Sequence, residues 1–139
     1  LNRVNTLPVS MVLAQAIVES YWGQSRFAKQ GNNLFGVWCY YRGCGLIPKR
    51  RPAGKTFEVR RYPNWKTSIT DYFRIINTNH YYKSLRDERT KLQANGNFTG
   101  LNLCQHLHAY SQKRQGYVSI IEKAIVNYQL AKYDLAHGS

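Results

Sequence analysis

Residues 10–25 read Ser10-Met11-Val12-Leu13-Ala14-Gln15-Ala16-Ile17-Val18-Glu19-Ser20-Tyr21-Trp22-Gly23-Gln24-Ser25, and residues 32–38 read Asn32-Asn33-Leu34-Phe35-Gly36-Val37-Trp38. The first stretch predicts a helix over 6–22. Pro8 suits its first turn, where a missing N–H costs nothing. Met11, Val12, Leu13, Ala14, Ala16, Ile17 and Val18 are apolar nearly all round, so the helix is expected inside the fold rather than on it. Gly23 is a natural stop. Gly31-Asn32-Asn33 breaks the chain, and Leu34 to Tyr40 predicts a short strand.

Glu19 lies late in that apolar helix. Burial disfavours a carboxylate, and so does the negative end of the helix dipole. A carboxyl kept protonated near neutral pH is what a general acid needs. The alternative is a structural Glu bonded to backbone or to an arginine.

Further along, 42–54 is a Gly/Pro/basic loop and Lys55 to Tyr62 alternates like a strand, with Phe57, Val59 and Arg61 on one face and Thr56, Glu58, Arg60 and Tyr62 on the other. Two strands around this loop predict a small hairpin lobe. Apolar spacings of three and four predict helices over 65–78, about 81–94, about 100–111, and from Tyr117 onward. The fold class is α+β, mainly α, with one β excursion after the first helix.

The chain has 139 residues and a formal net charge of +13, from 20 Lys and Arg against 7 Asp and Glu. Its length argues for one domain, 1–139. Hydrophobic residues reach 43%, too apolar for a disordered basic tail. No run has the roughly 18 apolar residues that a membrane span needs. Residues 42–61 hold Arg42, Lys49, Arg50, Arg51, Lys55, Arg60 and Arg61 with the single acid Glu58, a charge of +6. Such a lobe faces an anionic ligand or is simply a solvated loop. Cys39, Cys44 and Cys104 are an odd set; Cys39 and Cys44 are close enough to bridge, and three reduced thiols are the alternative. The start at Leu1 is expected to belong to a fragment of a longer chain.

Few other groups could do chemistry. Glu58 sits among cations that keep it ionised, so it suits a base or an electrostatic stabiliser; a cross-strand ion pair is the alternative. Asp71, Asp87, Glu88, Glu122 and Asp134 are expected on helix surfaces. His106 and His108, two apart on a helix, point to different faces and make no metal site. No nucleophile triad, phosphate loop or zinc pattern is legible, so no metal or cofactor is expected. Tyr21, Trp22, Phe35, Trp38, Tyr40, Tyr41, Tyr62 and Trp65 flank the two carboxylates in sequence. Aromatic faces bind sugars and nucleobases alike, and about half of these are expected to be core.

The 10–25 and 32–38 stretches resemble the signature of the bacterial endo-β-N-acetylglucosaminidase (glucosaminidase) family. Trp38-Cys39-Tyr40, Gly43-Cys44-Gly45, Glu58-Val59-Arg60, Asn77-Thr78-Asn79-His80, Tyr82 with Leu85-Arg86, and Tyr110-Ser111 with Gly116-Tyr117-Val118 are similar to its Bax-like branch, in which Phe57 replaces an expected His. The resemblance spans roughly residues 3–130. It implies a lysozyme-like fold, a helical body with a β-lobe beside a cleft, and hydrolysis of the β-1,4 bond after N-acetylglucosamine in peptidoglycan. It implies Glu19 as general acid, Glu58 as second carboxylate and Tyr117 as a catalytic tyrosine. It also implies Trp22, Asn33, Phe35, Trp38 and Tyr110 as substrate-binding residues.

The partner implied is peptidoglycan or a related N-acetylglucosamine-containing glycan, in the periplasm or cell envelope. A monomer is expected. The rival readings are a non-catalytic peptidoglycan-binding module, a hydrolase of glycoprotein N-glycans, and a basic nucleic-acid-binding domain. The last is disfavoured because the motif centres on an acid rather than on a basic recognition helix.

Overall fold

Pro8 opens the first helix: its carbonyl accepts from the amides of Met11 (3.1 Å) and Val12 (3.2 Å). The computed structural model describes residues 6–111 and 116–135. This helix, α1, spans Val9–Ser20, shorter at both ends than expected. It stops because Tyr21, Trp22 and Gly23 all take left-handed backbone, with φ of 52°, 58° and 75°. That conformation costs a non-glycine residue about 1–2 kcal/mol. Ser20 holds the turn, its Oγ donating to the Ala16 carbonyl at 2.5 Å and accepting from the Gly23 amide at 2.8 Å. Burial along α1 is also less complete than expected. Met11 and Ala14 are fully buried, but Val12, Leu13, Ile17 and Val18 are half-buried.

The described residues fall into two compact units, whose division lies within α1 after Gln15 and within a later helix after Tyr72. The unit Ala16–Tyr72 continues with α2, Arg26–Gly31, capped by the Ser25 hydroxyl, which accepts from the Ala28 amide at 3.1 Å. Strands β1 (Trp38–Cys39), β2 (Gly45–Leu46) and β3 (Glu58–Arg60) then form an antiparallel sheet in the order β1-β3-β2. Trp38 faces Val59, Cys39 faces Glu58, Gly45 faces Arg60 and Leu46 faces Val59.

The expected two-stranded hairpin is thus a three-stranded sheet whose extra strand lies inside the predicted loop. Only glycine fits at 45, since a Cβ there would stand 1.9 Å from the Val59 carbonyl oxygen. The Cys39–Cys44 disulfide is formed. Ala28, Leu34, Phe35, Val59, Tyr62 and Tyr72 make this unit's core.

Helix α3, Trp65–Thr78, has the expected bounds. In the other unit, its C-terminal turn is held by arginine. Arg86 Nη1 donates to the carbonyls of Ile76 (3.0 Å) and Asn79 (2.8 Å), and Arg89 Nη1 donates to Asn77 Oδ1 (2.7 Å) and the Thr6 carbonyl (3.1 Å). Cations suit the carbonyl end of a helix. Burial, then the neighbouring Arg86, brings the Arg89 pKa down to about 10, still a cation at neutral pH.

A 3₁₀ turn, His80–Tyr82, leads into α4, Lys83–Ala94. The helix expected over 100–111 is shorter: α5 is Gly100–Leu103, followed by a 3₁₀ turn at Cys104–His106. The amides of Leu107 and Tyr110 then bond three residues back, which tightens the backbone out of α geometry. Helix α6 spans Tyr117–Asn127 and α7 spans Lys132–Leu135. Met11, Ile76, Leu85, Leu103, Leu107, Ile121 and Ile125 make the core.

Asp134, expected on a helix surface, is instead buried. It accepts from the Ser10 amide (2.9 Å), the Ser10 hydroxyl (2.5 Å) and the Gly100 amide (2.9 Å). One carboxylate therefore receives first-turn amides of α1 and α5, where negative charge is favoured. Asp134→Ala leaves these buried donors without their acceptor and is expected to cost about 2–4 kcal/mol of stability in urea unfolding. Cys104 is buried outside the disulfide, and burial, with Glu122, pushes its thiol pKa up to about 12. It is expected to resist maleimide in the native protein and react on unfolding.

Candidate active site

The last turn of α1 carries Glu19 half-buried, one turn beyond Gln15 on the same helix. Gly36 closes on it: the backbone there is left-handed (φ +69°), and an added Cβ would lie 3.0 Å from Glu19 Oε1. Both the conformation and the approach demand glycine.

Asn33 sets that approach. Its Nδ2 donates to the carbonyls of Val37 and Arg60, each at 2.9 Å, while its Oδ1 accepts from the amides of Phe35 (3.3 Å) and Val37 (3.2 Å). Four bonds from one buried amide fold residues 33–37 into a turn and tie it to β3. Phe35 beneath is stacked on Tyr72, with centroids 4.1 Å apart. Asn33 and Phe35 are therefore not surface contacts for a substrate, as the family resemblance led us to expect. Each is 1% exposed and engaged within the protein. Trp22 and Trp38 do reach solvent, at 53% and 40% exposure. Trp38 stacks on Phe57, with centroids 3.8 Å apart.

Glu58, expected as the second carboxylate, is buried at 4% exposure. Oε1 accepts from the Gly45 amide at 2.8 Å and Oε2 from the Gly43 amide at 3.1 Å. These amides flank Cys44, whose disulfide partner Cys39 lies opposite Glu58 in the sheet. The Gly43 and Gly45 amide bonds hold the Glu58 carboxyl below its ordinary range, against the opposing effect of burial and with help from Arg51 and Arg42. It is ionised, as expected, but its two oxygens bind the loop. Asp71, the remaining acid of this unit, accepts from the Tyr62 hydroxyl at 2.5 Å.

In the other unit Tyr117 is buried, and its hydroxyl accepts from Gln15 Nε2 at 3.0 Å. Tyr110 lies nearly parallel to it, 5.8 Å between centroids, and Tyr82 tilts against Tyr110 at 6.2 Å. Sequence reasoning missed Gln15, although its place four residues before Glu19 in an apolar helix was a signal. Among the described residues no cluster of three or more His, Cys, Asp or Glu could hold a metal ion.

The family model for glucosaminidase, described as mannosyl-glycoprotein endo-beta-N-acetylglucosaminidase, matches residues 1–130, and the chain belongs to this family. Protein bax of Escherichia coli is 35% identical over 118 residues, which are 84% of this chain and 41% of that protein. Exo-glucosaminidase LytG of Bacillus subtilis is 32% identical over 81 residues, 54% of this chain and 28% of that protein. The chain thus spans less than half the length of either relative. The catalytic domain of the autolysin Auto from Listeria monocytogenes superimposes with a TM-score of 0.64 at 26% identity, over 89% of this chain and 73% of that one. The fold is lysozyme-like, with a small antiparallel sheet, as the resemblance implied.

Gly36→Ala is expected to cost about 1–2 kcal/mol from the left-handed backbone alone, and to move the Glu19 carboxylate as well. Thermal unfolding and activity together check both effects. Glu58 gives a pH signature. Its carboxyl pKa is lower folded than the ordinary 4.5, so its stabilisation is full above 4.5 and is lost as pH falls through the lower folded value. Hydrogen-exchange protection of the Gly43 and Gly45 amides should persist below pH 4.5 and fall in stronger acid. In Glu58→Gln it should already be low at neutral pH.

Proposed function

We propose that this domain hydrolyses the β-1,4 bond after N-acetylglucosamine in peptidoglycan, with Glu19 as the general acid. The observation that carries the reading is the placement of the unit's three acids. Glu58 binds two loop amides and Asp71 binds a tyrosine, and Glu19, in the family's motif, lies half-buried near the end of α1 where only a glycine at 36 can approach its carboxyl so closely. The names of LytG and Auto as a glucosaminidase and an autolysin support the substrate class.

In the proposed step Glu19 gives its proton to the glycosidic oxygen as the bond to the anomeric carbon breaks, and the departing sugar leaves as an alcohol. Water then adds at the anomeric carbon and its proton returns to Glu19. The net change is hydrolysis, with no cofactor consumed. A second carboxylate about 5–5.5 Å from the first favours retention, and about 6.5–9.5 Å favours inversion. Glu58, with both oxygens on amides, suits neither nucleophile nor base as it stands, so we assign it to the loop. The substrate's own N-acetyl oxygen is then the nearest alternative for assisting departure. Tyr117 keeps its proposed role of orienting polar groups near the reacting carbon. Its phenol is aligned by Gln15, since a hydroxyl that accepts from an amide N–H directs its own proton elsewhere. Trp22, Trp38 and Tyr110 are proposed as faces for sugar rings. The cell envelope or the periplasm is the compartment where such a substrate lies.

Glu19→Gln keeps shape and loses the proton. It is expected to lower hydrolysis of purified sacculi by at least about a hundredfold with an unchanged circular dichroism spectrum; retained activity refutes the assignment. Mass analysis of the products tests the bond. Reducing-end N-acetylglucosamine agrees with the proposal, and reducing-end N-acetylmuramic acid means a muramidase.

A further inference from the structure

The loop joining β1 to β3 has an unusual surface. Tyr40, Tyr41 and Ile47 are 73%, 64% and 52% exposed. Arg42, Lys49, Arg50 and Lys55 are exposed among them. The acid that could neutralise them, Glu58, is turned inward onto the Gly43 and Gly45 amides, and no other acid occurs between residues 20 and 70. Arg51 is turned back as well, its Nη1 donating to the Phe57 carbonyl at 3.1 Å. Glu58 acts on Arg51 and Arg42 from beneath, so Lys49, Arg50 and Lys55 are left as exposed cations in a segment with no other acid.

It is also a pre-shaped face. The disulfide closes Cys39 to Cys44, the Cys44 amide donates to the Tyr41 carbonyl at 3.1 Å, and the Arg61 amide donates to the Cys44 carbonyl at 3.2 Å. Together with the two Glu58 bonds, these fix the segment 40–45 at both ends. Holding like charges on a rigid loop costs electrostatic repulsion, and that cost is offset when a polyanion covers them.

We propose that residues 40–55 form a docking surface for the carboxylate-bearing peptide stems of the cell wall, and that Glu58 with the Cys39–Cys44 disulfide is the clamp that gives this surface its shape. The proposal rests on the peptidoglycan reading above and adds to it the part of the polymer recognised away from the scissile bond. Arginine forks fit carboxylates in pairs of parallel hydrogen bonds. Exposed tyrosines lie beside them as platforms for the adjoining sugars. Within this surface Glu58 is a positioning residue, acting through the amides it holds.

The test compares sacculi with intact carboxylates and sacculi whose carboxylates have been amidated, using the full chain with its disulfide formed. Co-sedimentation at low salt is expected to show parent protein binding intact sacculi about ten- to a hundredfold more tightly than amidated ones, with the difference shrinking as salt rises. The triple variant Lys49→Gln, Arg50→Gln, Lys55→Gln should lose most of that difference, raise KM on intact sacculi and leave kcat unchanged. Cys39→Ser with Cys44→Ser, and separately Glu58→Gln, should weaken binding to intact sacculi while circular dichroism reports a folded chain.

Equal binding of parent protein to both kinds of sacculi overturns the proposal, as does tighter binding to DNA or to anionic phosphatidylglycerol vesicles than to intact sacculi. Unchanged binding by folded disulfide and Glu58 variants overturns the clamp. Hydrolysis of amidated sacculi by the parent protein is the separate check on the enzymatic reading. If neither substrate is cut while the carboxylate-dependent binding stands, the enzyme assignment fails and the docking surface survives.

Discussion

The side-chain amide of Asn33 is a buried group with four hydrogen bonds, and the surroundings of Glu19 depend on it. A primary amide offers two donors and one carbonyl oxygen with two lone pairs. Here all four capacities are met by backbone: two carbonyls and two amides, from residues 35, 37 and 60. The bonds to Phe35 and Val37 curl the chain into the turn whose left-handed Gly36 meets Glu19. The bond to the Arg60 carbonyl attaches the same turn to β3. Aspartate in this place would lack both donors, and a buried backbone carbonyl without a partner is costly. The family's paired asparagines, Asn32 and Asn33, thus have separate tasks: Asn32 closes α2 in left-handed backbone while its side chain donates to the Tyr62 carbonyl at 3.0 Å, and Asn33 builds the turn.

Asp134 does comparable work in the other unit. Its carboxylate gathers the starts of α1 and α5 from a position near the described end of the chain, 124 residues from Ser10. Arg86 meets the opposite need at the end of α3, supplying donors to the carbonyls of Ile76 and Asn79, while Arg89 donates to the Asn77 side chain and to the Thr6 carbonyl. Asp134 and Arg86 therefore answer opposite helix ends, one as acceptor and one as donor.

Legibility followed physical range. Helix α3 and the start of α6 were readable because an amphipathic helix repeats its pattern over several turns, and α3 alone offers Tyr72 and Ile76 to the interior at that spacing. Strand β2 was hidden. Its two residues sit in a Gly-rich basic stretch, and their pairing follows from a disulfide and from a side chain 13 residues downstream, neither of which has a period. The family motif located Glu19, Tyr117 and Gly36 on the chain, but a motif does not distinguish a residue that touches substrate from one that holds the residue that does. Asn33 and Phe35 were placed in the first group and are instead buried and engaged within the protein. Glu58 was read correctly as ionised, from the cations near it. Its engagement was not readable, because backbone amides that become donors only after the loop folds leave no trace in composition.

The shortage of acids has a sharper meaning once each is located. In a chain of net charge +13, a carboxylate near the β-lobe would be drawn into an ion pair unless something else fixed it. Glu58 is fixed by two amides inside a disulfide-closed loop, which leaves the exposed arginines and lysines of that loop facing outward. Glu19 is placed differently: it stands near the end of α1, ahead of a left-handed turn, with left-handed Gly36 across from its carboxyl. The same unit thus holds one carboxylate bound by two backbone amides and another near a helix end with a glycine against it. The proposed general acid and the proposed docking loop therefore draw on different carboxylates of one unit, the first left to Glu19 and the second shaped by Glu58.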